Sequence, residues 1–425
     1  MVVSKQPPKK PSGHFRKSDI RGITQLATQA TAGVTRIVEG VHNSVLDTKG
    51  LPGGKVIRNI SSVVYKSVHA ATFVVGKGVD AALTKLQPLL ESAQDEDPGT
   101  PRREAVLAAL NGVMGDRLVT TNNPFATAMV MRCRGKTLKR DELPAIPTAT
   151  GKVLLLVHGL CMNDLQWRTR QEESVHDHGE ALAAALGYTP VYLRYNSGLH
   201  TSINGRELAA QLEQLIAQWP VQIEELTIAA HSMGGLLSRS AVHYAVQEDL
   251  HWPDHLKNIV FLGTPHHGAP LEQAGNWLGV IIGSTPYSAP FTRLVQLRSA
   301  GITDLRHGHV LDEDWQDYDR FEHKPDSREA VPLPTDVNCY TVAATTADKR
   351  SLLADRLIGD GLVPLRSALG QHSNAEQYLA FEKDSQWIAY QTNHMELLSC
   401  QAVAGQMIKW LSSPVCHSNL HPDMQ

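Results

Sequence analysis

One serine, in the segment Ala230-His-Ser232-Met-Gly234, has the sequence surroundings that nucleophilic catalysis requires. The apolar run at 226–230 predicts a strand that ends at this segment, and residues 236–245 predict a helix after it. A serine in such a strand–turn–helix setting, with small residues two positions before and after it, is typical of a nucleophile elbow. The turn holds the hydroxyl above a sheet, at a helix N-terminus that favours nearby negative charge. The pattern therefore predicts Ser232 as a nucleophile.

A serine hydroxyl is a poor nucleophile at neutral pH, so it needs a histidine to take its proton and a carboxylate to orient that histidine. Asp360 lies in the turn Gly359-Asp360-Gly361, beyond a predicted strand at 339–343. His394 follows the apolar stretch 387–390 and precedes the last predicted helix. The sequence also offers competing candidates, which are the acids Asp336, Asp348 and Asp355 and the base His372.

Acyl transfer also requires backbone N–H groups that stabilise a developing oxyanion. The pair His158-Gly159 ends the apolar strand predicted at 153–157, where a loop N–H can supply one donor. The amide of Met233, directly after the serine, would supply the other. His231 and Gly234 support the elbow. His266, in the segment Gly263-Thr-Pro-His-His-Gly268, is a candidate pocket residue, and structural packing is an equally good interpretation of it.

These residues must be positioned by an α/β fold, because strand-like and helix-like segments alternate after residue 150. The predicted strands are 153–157, 190–195, 226–230, 259–262 and 339–343, with an extended piece at 129–132. The predicted helices are 180–186, 206–219, 236–245 and 401–411. Strands that are continuously apolar are buried on both faces, so the alternation predicts a parallel sheet wrapped by helices.

Together these motifs resemble the α/β-hydrolase superfamily, and most closely its lipase and GPI-inositol-deacylase-like branch. The resemblance covers about residues 125–412 and implies a mostly parallel, eight-stranded core. It implies Ser232 as nucleophile, His394 as general base and Asp360 as its orienting acid. It also implies oxyanion N–H groups from Leu160 and Met233. The sequence departs from the pattern at Ala230, where a glycine is usual.

The organisation predicted along the chain has five parts. These are a disordered basic tail at 1–19, an amphipathic helical hairpin at 20–91, a linker with a short helix at 92–124, the hydrolase domain at 125–412, and a C-terminal tail at 413–425. Within the hydrolase domain, residues of about 265–336 predict a cap insertion. Its apolar run at 277–282 fits either a mobile cap for acyl-chain substrates or an ordinary buried helix face.

Composition narrows the class of protein. The 425 residues carry a net charge of −3, but the first 150 hold 21 basic and 12 acidic residues, which leaves the remainder acidic. The basic part has few aromatic residues, which disfavours a nucleic-acid partner.

No segment predicts a secretory signal or a membrane span, so we expect a cytoplasmic protein. Its five cysteines are scattered, which argues against a disulfide framework.

No cofactor or metal is expected, because the sequence lacks a glycine-rich phosphate loop and a grouped set of metal ligands. The pair His176-x-His178 is interpreted as part of a solvated loop, with a metal site as the less favoured alternative. The candidate substrate is an ester or lipid.

The sequence thus predicts a serine hydrolase that cleaves carboxylic esters, with lipid or acyl esters favoured. One alternative keeps the fold but makes the protein an acyltransferase or a thioesterase. Another is a non-catalytic module that binds a membrane or lipid-granule surface through residues 20–91. For that segment, packing of the helices on each other or on the catalytic body is the competing interpretation.

Overall fold

The computed structural model describes residues 101–138, 146, 148–171, 174–269, 299–316, 326, 328–348 and 359–412. The predicted tails at 1–19 and 413–425, the predicted hairpin at 20–91 and the run at 277–282 lie outside the described residues. None of the helices in the described part combines the length and apolar character that a membrane crossing needs.

The described residues fall into two compact units. The first contains residues 101–128, 196–199 and 299–302. Its main element is helix α1 (Pro101–Thr120), which has non-helical backbone angles at Met114. The helix predicted at about 103–114 ends where these angles interrupt α1, and a second helical stretch continues to Thr120. Gly115 follows the kink and lies close to Asn196, since a Cβ there would lie 1.8 Å from Oδ1 of Asn196.

The second unit holds an eight-stranded sheet. Its strands are β1 (Val130–Cys133), β2 (Lys136–Thr137), β3 (Lys152–Val157), β6 (Thr189–Arg194), β7 (Glu225–His231), β8 (Leu256–Leu262), β9 (Asn338–Thr345) and β10 (Gln386–Tyr390). A separate antiparallel ribbon pairs β4 (Arg168–Gln171) with β5 (Ser174–Asp177). Further helices in the chain are α2 (His178–Leu186), α3 (Thr201–Gln218), α4 (Met233–Gln247), α5 (Ala300–His307), α6 (Leu365–Ala368) and α7 (Gln401–Ser412). Short 3-10 turns occur at Asp164–Trp167, Trp252–His255, Ala375–Gln377, Lys383–Ser385 and Glu396–Leu398.

The sheet has the order β10-β9-β8-β7-β3-β6-β1-β2, and it is parallel except for β1 and β2 at one edge. The chain goes from β3 to β6 on one side and then crosses to β7 on the other. Ligand sites of open α/β sheets lie at the carboxyl ends of strands where the order reverses in this way. The ends of β3 and β7 are therefore the place where a site is expected.

Helices cover both faces of this sheet, as the apolar strands predict. Along β3, Val153, Leu155 and Val157 pack with the buried residues of α3 and α4. Leu154 and Leu156 belong to the opposite core, together with buried residues of α2 and α7. Because both faces are buried, the strand has no polar alternation, which is why its sequence is a continuous apolar run. The predicted α/β fold, with a mostly parallel eight-stranded sheet, is confirmed.

Candidate active site

Ser232 lies in the turn between β7 and α4 with a φ of 55° and a ψ of −123°. Positive φ is strained for a residue with a side chain, by roughly 1–3 kcal/mol, and such strain collects at functional sites. The serine N–H donates to the carbonyl of Leu262, 2.8 Å away, which ties the turn to the neighbouring strand. Ala230 is fully buried and pairs with Val157 on one side and Phe261 on the other, so the sheet accommodates its methyl group.

Gly234 is required by the close approach of α4 to the end of β3. A Cβ at this position would lie 2.5 Å from the carbonyl oxygen of Val157 and 2.7 Å from that of His158. Neither oxygen can move without distorting the strand that leads into the site.

We therefore expect Gly234→Ala to lower the free energy of unfolding by about 3 kcal/mol, the upper part of the range for overpacked sites. The matched control is Gly405→Ala in α7, where a Cβ would have no neighbour within 4 Å. Because alanine is the better helix former, that control should stabilise the protein by roughly 0.5–1 kcal/mol. Urea denaturation of both variants measures the two effects, and equal stabilities would contradict the packing described at Gly234.

Asp360 and His394 form a buried pair, with 2.6 Å between Oδ2 of the carboxylate and Nδ1 of the imidazole. The other oxygen, Oδ1, accepts the backbone N–H groups of Leu362 at 2.9 Å and Val363 at 2.7 Å. The N–H of His394 donates to the carbonyl of Asp360 at 3.1 Å. The turn thus fixes the carboxylate, and the carboxylate fixes the ring with Nδ1 protonated and Nε2 as the acceptor.

The competing candidates lie elsewhere. Asp336 and Asp348 are exposed, and Asp348 accepts a hydrogen bond from Gln391. His372 is 3.7 Å from Asp326 and accepts the N–H of Asn374 at Nδ1. Asp355 lies outside the described residues.

Oγ of Ser232 and Nε2 of His394 are both buried without a hydrogen-bond partner among the described residues, as is Nδ1 of His231. The first two are the atoms between which a proton would pass in serine catalysis, and in unliganded sites such contacts are often long. The loop after β3 reaches the same place, because a Cβ on Gly159 would lie 3.0 Å from Cβ of Ser232.

Leu160 and Met233, whose amides are the predicted oxyanion donors, lie in the loop after β3 and at the start of α4. Leu160 follows Gly159, and Met233 is the first residue of α4. Both residues are fully buried, and neither N–H donates to an acceptor in the described part of the chain.

His158 holds the peptide that carries the Leu160 N–H. Its Nδ1 bonds the carbonyl of Gly159 at 2.8 Å, and that carbonyl belongs to the same peptide unit as the Leu160 amide. The ring stacks on Tyr195 with centroids 4.3 Å apart, and the Tyr195 hydroxyl donates to the His158 carbonyl at 2.9 Å. Burial lowers the pKa of His158 to about 4, so the ring is neutral at pH 7. No motif in the sequence pointed to Tyr195.

His231 holds the backbone of His394. Its Nε2 donates to the carbonyl of His394 at 3.0 Å, and the two rings lie 4.6 Å apart. Burial, followed by the nearby His394, places the pKa of His231 well below its ordinary value. By contrast, His266 packs against Phe261 and Phe381, with ring centroids 4.8 and 5.5 Å away. Its contacts are those of a core residue.

The interpretation of His176-x-His178 as a solvated loop is wrong for His178. This residue is fully buried at the start of α2, where its ring contacts Trp167. Burial lowers its pKa to about 4. Among the described residues, no cluster of three or more histidine, cysteine or acidic side chains could hold a metal ion.

These buried neutral histidines make stability depend on pH. His158 and His178 each have a pKa of about 4 in the folded chain against an ordinary 6.5, so the unfolded chain binds more protons between these values. Their contribution is complete above pH 6.5 and is lost as pH falls towards 4. We expect these two residues alone to lower the free energy of unfolding by up to about 3 kcal/mol per pH unit in this window. Denaturant titrations at several pH values measure the slope, and His178→Gln, which removes one titrating group, should make it shallower.

Residues 148–341 match the family described as the PGAP1-like alpha/beta domain. This segment contains Ser232, whereas Asp360 and His394 lie beyond it. Among curated proteins, no sequence matches the chain.

Several solved structures are similar to this chain. The mature lipase BlEst2 of Bacillus licheniformis has 17% identity and a TM-score of 0.38, covering 62% of this chain and 93% of that one. The lipase-esterase related protein of Clostridium acetobutylicum has 12% identity and a TM-score of 0.33, covering 62% of this chain and 95% of that one. The thioesterase RedJ of the prodiginine pathway in Streptomyces coelicolor has 14% identity and a TM-score of 0.34, covering 63% and 91%.

Proposed function

We propose that this chain, which has an α/β fold and matches the PGAP1-like alpha/beta domain over residues 148–341, is a serine hydrolase that cleaves carboxylic esters through an acyl-enzyme on Ser232. Lipid or acyl esters are the proposed substrates. The observation that carries the proposal is the conjunction of a strained serine with the buried Asp360–His394 pair, whose free Nε2 is the one basic atom the reaction requires.

In the first half-reaction, Oγ of Ser232 attacks the ester carbonyl carbon while Nε2 of His394 takes the hydroxyl proton. The amides of Leu160 and Met233 donate to the resulting oxyanion, and each such donor is worth about 3 kcal/mol in known cases. The tetrahedral intermediate then expels the alcohol, which receives the proton from Nε2. The products are an acyl-serine and the free alcohol.

In the second half-reaction, water attacks the acyl-serine and gives its proton to Nε2 of His394. Collapse of the second intermediate releases the carboxylic acid and returns the proton to Oγ of Ser232. Asp360 remains a carboxylate throughout, because its task is to hold Nδ1–H and to stabilise the imidazolium that forms. An alcohol or amine in place of the water would give acyl transfer through the same intermediate.

The test is active-site labelling of the full chain with a fluorophosphonate, combined with turnover of p-nitrophenyl acetate, butyrate and palmitate. We expect one label per chain on the peptide that contains Ser232, and turnover that is lost in proportion to labelling. Higher kcat/KM for the longer esters supports a lipid or acyl substrate. Folded protein with neither label nor turnover would contradict the proposal.

The same preparation separates hydrolysis from its alternatives. Turnover of thioester analogues of equal acyl length compares a thiol leaving group directly with an alcohol leaving group. Added alcohol acceptors reveal acyl transfer as an ester product at the expense of free acid. Hydrolysis predicts that free acid accounts for the turnover even when acceptor is present in excess.

A further inference from the structure

His178 is linked to the segment that carries the catalytic base, although it comes from another element of the fold. Its Nε2 lies 2.8 Å from the carbonyl oxygen of Leu397. A carbonyl can only accept, so Nε2 of His178 carries the proton and donates it. The neutral ring then presents Nδ1 as an acceptor.

That acceptor is occupied by a second histidine. Nε2 of His176 lies 2.9 Å from Nδ1 of His178, so His176 donates and fixes the tautomer that reaches Leu397. Both ring nitrogens of His178 are thereby engaged, which leaves neither free to bind a metal ion.

The backbone of His178 is held in place as well. Asp177 caps α2 by accepting the N–H groups of Gly179 and Glu180 at 2.8 and 3.3 Å. The same carboxylate oxygen accepts the hydroxyl of Tyr192 at 2.8 Å. The imidazole is therefore presented from a fixed point on the protein.

Leu397 packs beside the pair of Asp360 and His394. It is buried in the 3-10 turn Glu396–Leu398, just after His394. A Cβ placed on Gly263 would lie 2.8 Å from Cδ1 of Leu397, and 3.2 Å from both Oδ2 of Asp360 and Cε1 of His394. The leucine side chain and the catalytic pair thus pack around one point.

Two imidazole rings hold backbone carbonyls of this segment. His231 donates to the carbonyl of His394, and His178 donates to the carbonyl of Leu397. His394 is also held by the side chain and the backbone carbonyl of Asp360. The bond from His178 adds a contact three residues further along the same turn.

We propose that His178, oriented by His176, is a positioning residue that sets the distance between His394 and Ser232 by holding the Leu397 carbonyl. This inference rests on the proposed function and deepens it. His178 does not touch the reacting atoms, and it acts through the placement of the base.

The test compares His178→Leu, which removes the donor, with His178→Gln, whose amide nitrogen can still donate to Leu397. Misplacing a catalytic group by about 1 Å can cost 10²-fold in rate, so we expect the leucine variant to lose about 10- to 100-fold in kcat with KM unchanged. The glutamine variant should recover most of that loss. Adding His176→Ala to His178→Leu should cost nothing further, because His176 acts only through His178.

The control for a merely structural loss is Thr341→Val, which removes another buried side-chain donor to a main-chain carbonyl, that of Ala368. Rates are expressed per folded molecule, with the folded fraction taken from denaturation curves. The control is expected to keep the wild-type kcat on this scale.

Three results would overturn the inference: a leucine variant within twofold of the wild-type kcat, a loss explained entirely by the folded fraction, or no recovery with glutamine. Failure of the proposed function has a different signature. In that case the wild-type chain itself would show no fluorophosphonate label on Ser232 and no ester turnover, and the inference would fall with it.

Discussion

Ser232→Ala is expected to lower kcat for ester substrates by about 10⁶-fold, and His394→Ala is expected to do nearly the same. The two residues act as one unit, because the serine attacks only while the histidine takes its proton. The double variant should therefore be no slower than either single variant. What activity remains comes from binding and from the N–H donors at Leu160 and Met233.

The measurement is kcat for a p-nitrophenyl ester across the four proteins of this double-mutant cycle. Ser240→Ala is the matched control, since this buried serine lies in α4 and donates to the carbonyl of Val310 at 2.8 Å. It should cost about 1 kcal/mol of stability for the lost hydrogen bond and leave kcat unchanged. Additive losses for Ser232 and His394 would show that they do not share a proton and would contradict the proposed mechanism.

Asp360→Asn is expected to lower kcat by about 10⁴-fold while the protein stays folded. Oδ1 of Asp360 already accepts two backbone N–H groups, so the amide oxygen of an asparagine must occupy that place. Its NH₂ group then faces Nδ1 of His394 and donates to it. The ring is forced into the tautomer with a proton on Nε2, which can no longer accept one from Ser232.

The controls for this variant are Asp336→Asn and Asp348→Asn, two exposed carboxylates that sequence analysis left as competing acids. Both should retain the wild-type kcat. A large loss in either control, with Asp360→Asn still active, would show that the orienting acid has been misassigned.

The elements of the core could be predicted because their signals are local. Residues 153–157 are a continuous apolar run because β3 is buried on both faces. Position 234 needs a glycine because the backbone at the end of β3 passes close by. The predicted strands and helices agree with the structure to within a few residues at each end. In α1 the predicted end at residue 114 coincides with the break in helical angles at Met114, and the prediction missed only the short stretch that follows it.

The pairing of Asp360 with His394 could be proposed from the resemblance, but nothing in the spacing distinguishes Asp360 from Asp336 or Asp348. The sheet order puts the residues after β9 beside the turn after β10, and of the two candidate acids that follow β9 in the described residues, Asp348 is exposed whereas Asp360 is buried against His394. There a buried carboxylate and a buried imidazole lie 2.6 Å apart, the shortest such pair among the described residues.

His178 shows most clearly what could not be predicted from the sequence. The sequence His-Asp-His is polar and predicts a solvated loop, whereas tertiary packing buries the second ring and aims it at a carbonyl more than 200 residues later in the chain. By itself the sequence determined the parallel sheet, its helical cover and the serine elbow, because hydrophobic periodicity and steric limits act between near neighbours. The tertiary structure decided which carboxylate lies beside His394, which histidines hold the backbone of that segment, and which polar rings are buried. These features depend on which strand ends and helices come together.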